Sequence, residues 1–217
     1  MRKTLLAFGF LLGLSAPAWA QVPCIGIGGV NSVPQVGTAC EQEPAVNSYA
    51  ATGIGIVPAS AATDIACITG AANIVVRIQE IRVSGTAGTQ IVVPVVITKH
   101  ASLNTLGTPA TGTALPVPYA IDSSDSAPKA TTTAYTANPT INDAAPGIID
   151  AANLVLGKTD GTNGSGQPYT VFEYGPQRYI EAPTLRTAVQ QICVNLNGTS
   201  PSSGLANVAF RWTEAAQ

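Results

Sequence analysis

The sequence predicts an all-β protein, a two-sheet antiparallel sandwich of jelly-roll or Greek-key type with about eight to ten strands. Three observations carry that expectation. Short runs rich in Val, Ile and Thr recur along the chain, Gly, Pro, Asn and Ser punctuate them, and helical apolar periodicity is hard to find. One domain suffices, because all-β sandwiches commonly reach about 200 residues.

Met1-Arg2-Lys3 brings positive charge, residues 4–15 are an almost unbroken apolar run, and Ala18-Trp19-Ala20 has the small-x-small form of a cleavage site. Residues 1–20 therefore read as a signal peptide, and the mature chain as secreted, periplasmic or extracellular. No later stretch holds the roughly 18–20 apolar residues of a membrane helix, so membrane insertion is not expected.

Residues 21–47 carry Cys24 and Cys40 around a Gly-, Val- and Pro-rich stretch without clear period, and 48–217 form the β domain. Four cysteines permit three pairings. Cys24 with Cys40 is favoured because that stretch has little else to hold it, and the pairing leaves Cys67 with Cys193, each in a strand-like segment. A metal is disfavoured: the chain has no C-x-x-C and one histidine. No cofactor is expected.

The strands expected in order are 48–57, 63–69, 73–84, 89–98, 148–156, 169–174, 188–196 and 205–213. Within 73–84 the apolar parity switches between Ile74, Val76, Ile78 and Ile81, Val83, which calls for a bulge near Gln79-Glu80. The 89–98 strand is apolar on both faces, as for a strand covered on two sides, but Pro94 cannot donate to a ladder and marks an irregularity or an edge. Residues 100–147 are too long for a bare connection and should hide short strands within 115–121 and 131–135. The last two strands read as a hairpin around 197–203, with Trp212 in the core.

Removing the leader leaves eight of the ten basic residues against twelve acidic ones, a formal charge of −4. The basic residues are scattered from Arg77 to Arg211, a pattern without the clusters that nucleic-acid or polybasic membrane binding requires. Charged residues are 10% of the chain, less than half the usual share of about 25%. So neutral a surface suits a protein that packs against copies of itself.

Catalytic patterns are weak. A Ser/His/Asp or Cys/His mechanism would need His100, which reads as a surface residue at a strand end. A glycosidase-like carboxylate pair is a lesser reading, with Glu80, Glu173 and Glu181 as readily partners of Arg77, Arg82, Arg178 or Arg186. Asp160-Gly-Thr-Asn163-Gly-Ser165 reads as a turn rather than a calcium loop, and Gly26-x-Gly28-Gly29 lacks the helix and Lys of a phosphate loop. Residues 169–179 concentrate Tyr169, Phe172, Glu173, Tyr174, Arg178 and Tyr179. Tyr174, Arg178 and Tyr179 are the candidate contacts for a glycan or protein partner, beside the plainer reading of strand aromatics packed in a sheet.

The run Asp64 to Gly85 (DIACITGAANIVVRIQEIRVSG), the segment Ala134 to Thr140, and Leu185 to Gly198 followed by Trp212-Thr-Glu214 resemble a family of uncharacterised β-rich proteins met in tailed bacteriophages and in phage-like regions of bacterial genomes. The resemblance implies a particle or surface component without enzymatic activity. The leader departs from it, because virion subunits assemble in the cytoplasm. The expected function is a non-enzymatic, homo-oligomeric structural or surface-interaction protein of an extracellular or virion-like assembly, with a carbohydrate-binding or adhesive module as the alternative.

Overall fold

β-Branched residues favour a pleated, half-buried surface, and the apolar runs of this chain form strands. The computed structural model describes residues 46–158, 169–175, 181–201 and 203–217, which belong to one compact unit. The leader, Cys24, Cys40, Arg178, Tyr179 and the turn at 160–165 lie outside the described residues.

Twelve strands are seen: β1 (Asn47–Ile56), β2 (Asp64–Thr69), β3 (Ile74–Ala87), β4 (Ile91–His100), β5 (Thr108–Pro109), β6 (Tyr119–Ala120), β7 (Thr131–Ala137), β8 (Gly147–Lys158), β9 (Tyr169–Glu173), β10 (Thr184–Leu185), β11 (Gln191–Asn195) and β12 (Leu205–Ala216). All eight expected strands are present. Within 100–147 the short strands are β5, β6 and β7, with a 3-10 turn at Gly112–Ala114 between β5 and β6.

The strands follow one path, β5-β7-β2-β11-β4-β8-β3-β12-β1-β6, with β9 and β10 also pairing with β3. The sheet is mixed: β3 and β8 run parallel over Thr86↔Gly157 and Ala87↔Lys158, and the other pairs of named strands are antiparallel. It curls so that inward residues of β2, β4, β8 and β11 and those of β1, β3 and β12 enclose one core.

Along β3, Arg211 faces Glu80 and Trp212 faces Ile78, so Gln79 is the extra residue of a bulge. That residue returns Val76, Ile78, Ile81 and Val83 to a single buried face, as the parity switch requires. Trp212 is 1% exposed and stacks on Tyr49 across β1, with ring centroids 5.9 Å apart.

Two expectations are corrected. The last two strands do not form a hairpin: β11 lies between β2 and β4, whereas β12 lies between β3 and β1. The turn around Asn197, at φ 50°, and Gly198, at φ 75°, carries the chain across the core and is tied to the start of β2 by Leu196 N–H to Thr63 O and Gly198 N–H to Ala62 O. Nor is β4 covered on both sides. Val93, Val95 and Ile97 face the core, but Val92 on the other face is 55% exposed. Pro94 is accommodated because the β11 ladder ends at Val96, leaving a local edge at the proline.

One buried carboxylate links the end of β12 to the start of β7. Glu214 accepts hydrogen bonds from Trp212 Nε1 (2.9 Å) and from the backbone N–H groups of Lys129 (2.9 and 3.1 Å) and Ala130 (2.9 Å). Glu214→Ala leaves these donors unpaired and is expected to destabilise the domain by about 3 kcal/mol, read as a lower midpoint in urea denaturation, with Glu214→Gln costing less.

Candidate functional site

On the outward face of β7, β2, β11 and β4, the register assembles a polar grid where an outer sheet face would ordinarily meet water. Thr131, Thr69, Gln191 and His100 form one row across the four strands, and Thr133, Cys67, Cys193 and Thr98 form the next. Asp64 and Asn195 pair beyond them, past an irregularity at Ile65. Their neighbours Ala66, Ile68, Ile192 and Val194 point into the core, which is why period-two alternation sends these polar groups outward.

The β11–β4 half of the grid is covered by residues 101–105. Ala101 N–H donates to Asp143 Oδ2 (2.7 Å), Asn104 N–H to Gln191 Oε1 (2.8 Å), Asn142 Nδ2 to Leu103 O (2.7 Å), and Thr105 N–H to Thr140 O (3.0 Å). The Ala101 and Ala145 N–H groups hold the Asp143 carboxyl below the usual carboxylate range. Beneath this lid lies Asp64, 1% exposed. Its Oδ1 accepts from Asn195 Nδ2 (2.7 Å), and its Oδ2 accepts from Asn104 Nδ2 (2.7 Å) and meets His100 Nε2 (3.2 Å).

His100 is therefore wholly buried, correcting its expected place on the surface; the distant Asp64 and the lid of residues 101–105 enclose a polar ring that local sequence marks only as the end of a strand. Thr98 Oγ1 donates to Cys193 O (3.4 Å), which leaves its lone pair for His100 Nε2 at 3.0 Å. The network thus assigns a proton to Nε2, shared between Thr98 and Asp64. A hydrolytic triad places the carboxylate on one ring nitrogen and the nucleophile on the other. Here both partners share Nε2, Nδ1 is buried without a partner, and no atom of the ring reaches solvent.

Cys67 and Cys193 form a disulfide between directly opposed residues, the pairing expected from the sequence. Asp64 lies close enough to both sulfurs to form a metal-ligand set, but sulfurs bonded to each other are not thiolates. The closed cystine makes this group a cross-strand staple.

The β7–β2 half stays open, and over it lies a hollow of about 520 Å³. It is lined by Thr69, Asn104, Lys129, Thr131, Thr133, Tyr135 and Gln191, with Leu103 and small residues at its rim. Gly70 closes one side: a Cβ there would stand 2.4 Å from Thr187 O. Burial, and then the charge of Asp64, push the Tyr135 phenol up from its usual value. A second hollow of about 390 Å³ is lined by Lys99, Glu181, Arg186 and uncharged residues. Neither hollow brings two carboxylates together among its lining residues.

Of the residues singled out for ligand contact, Tyr174 is 6% exposed, and its hydroxyl is buried without a partner among the described residues. Burial, and then the charge of Asp150, raise that phenol strongly. Glu80 pairs with Arg82, as its position allowed. Asp64, Asn104, Gln191 and the threonines of the hollow were missed by the sequence reading. Their one local signal is polar residues at alternate positions inside otherwise apolar strands, as in Cys67-Ile68-Thr69 and Gln191-Ile192-Cys193.

Comparisons of the chain with protein-family models, with curated proteins and with solved structures find no match.

Replacing both Cys67 and Cys193 by Ala opens a link between residues 126 positions apart and should lower stability by about 3–5 kcal/mol, measured by denaturant unfolding. Raised tyrosine values carry a definite sign. Unfolded tyrosine ionises near pH 10 and the folded groups ionise higher, so their contribution is complete below about pH 10 and is lost as pH rises towards the folded values. Tyr135→Phe and Tyr174→Phe should each flatten the alkaline fall in stability, followed by thermal melts across that range.

Proposed function

We propose that the chain is a non-enzymatic structural or surface-interaction protein, a self-associating subunit of an extracellular or virion-like assembly. The observation that carries this reading is the outer face and edge of β8. Gly147–Leu156 has β4 on one side and no strand partner on the other among the described residues. Its outward side chains Ile148 (71% exposed), Ala151, Asn153 and Val155 (41%) lie beside Val92, Pro94 and Val96 of β4, a strip without a formal charge.

A long edge strand with an uncharged, largely apolar outer face is a template for pairing with another chain; the one charge within Gly147–Leu156, Asp150, stands opposite the core-facing Ile97 rather than on that face. A second copy is the partner that also suits a chain with so few charges, since burying this strip desolvates none. The disulfide fits an exported protein, as does the leader expected at residues 1–20. No helix among the described residues is long and apolar enough to cross a membrane. The resemblance to phage-associated β-rich proteins points the same way. Two-sheet jelly-roll packing, the finer form of the fold expectation, is compatible with strands that alternate between the two halves of the path.

Light scattering coupled to size exclusion tests the proposal. The chain should form concentration-dependent oligomers, and Val155→Lys with Ala151→Lys, both at exposed positions, should shift it to monomer while leaving the far-ultraviolet spectrum unchanged. A wild-type chain that stays monomeric at high concentration overturns the reading.

A further inference from the structure

We propose that the hollow over β7 and β2 is a binding site for a carboxylated saccharide of two or three rings. Its volume of about 520 Å³ lies within the roughly 300–1,000 Å³ of small-ligand sites. Such sites are ordinarily lined by apolar and aromatic groups, whereas half of the residues lining this one carry hydroxyl or amide side chains, the complement of a polyol.

Those groups are available. Thr131 and Thr133 project from the same face of β7, and their hydroxyls make no hydrogen bond among the described residues. Thr69, directly opposite Thr131, accepts from Gln191 Nε2 (2.9 Å), so its own proton is free to be donated. The Tyr135 phenol, pushed up by burial and by Asp64, remains a donor at neutral pH. Thr131 to Tyr135 spans four strand steps, about 13 Å, with Lys129 beyond a bend at Ala130, the reach of a short oligosaccharide rather than a single ring.

Charge sets the class and the direction of the ligand. Lys129 is the one formally charged residue lining the hollow, and its ammonium has no ion-pair partner among the described residues; the nearby Glu214 carboxylate is buried and held by the backbone N–H groups of Lys129 and Ala130 and by Trp212, outside the lining. The buried Asp64 lies towards the Tyr135 end, where its charge is felt by the phenol. A carboxylate therefore belongs at the Lys129 end, and sugar hydroxyls belong over Thr131, Thr69 and Thr133. The site is pre-organised: Asn104 and Gln191 are tied to each other and to Asp64 and Thr69, and the cystine holds β2 to β11 beneath them.

Titration of the full isotope-labelled chain with a disaccharide of one galacturonate and one neutral galactose, followed by amide chemical shifts, tests the assignment. Shifts are expected at Thr69, Thr131, Thr133 and Gln191, with affinity about tenfold greater than for the neutral methyl ester of the same disaccharide. Lys129→Met should bring the acid down to the level of the ester without changing ester binding, and Thr133→Val should weaken both; dispersed spectra of the variants show that they are folded. Equal affinity for acid and ester, an acidic peptide that binds better than the saccharide, or no shifts at these amides would each overturn the proposal. Oligomer formation through β8 is read separately, so failure at the hollow leaves that result standing.

Discussion

Burial of the Asp64 carboxylate is the constraint around which one whole face of the molecule is organised. A carboxylate taken from water must recover its hydrogen bonds from the protein or lose its charge. Here the donors come from β4, β11 and the lid after β4: His100, Asn195 and Asn104. None is near Asp64 in the chain, so the group is satisfied only when strands and lid are all in place. Because Asn104 also grips Gln191, and Asp143 grips Ala101, satisfying Asp64 closes the lid over His100, Thr98 and the cystine. Where the lid stops, over β7 and β2, the same polar grid is left as an open hollow.

The exterior shows the opposite distribution. An outer face of the sheet that might have carried charge instead carries a buried polar network on its β2–β11 side and an apolar strip on β4 and β8. The strip follows from the mixed topology. The parallel contact of β8 with β3 lasts two residue pairs, and the rest of that edge is left without a strand partner among the described residues. With charged residues at 10% of the chain, there is little to discourage association there.

Parts of this were legible from residues alone. The parity switch between Ile78 and Ile81 called for a bulge, and Gln79 is the inserted residue. Pro94 marked a place where a ladder must end, and β11 ends two residues away. The hollow was not legible. Thr69, Thr131 and Gln191 are ordinary strand residues until the register sets them side by side, and Lys129 is one cation among ten until the fold puts it at the rim of the hollow. Tyr174 shows the converse: an aromatic cluster in sequence offered a contact surface beside the plainer reading of packed strand aromatics, and tertiary packing enclosed the Tyr174 ring.

What the sequence by itself determined is whatever a short window of side chains controls: the positions of eight strands, the inward parity of β3 and β12, the bulge in β3 and the core position of Trp212. Only the tertiary structure decided which strands are neighbours, that β11 and β12 lie apart although a nine-residue connection joins them, that the sheet is mixed, and that His100 is sealed beneath a lid. The physical reason is range. Period-two burial is a local property of the chain, whereas strand pairing and the satisfaction of a buried charge join groups dozens of residues apart, and their energies exist only once the sheet has closed around them.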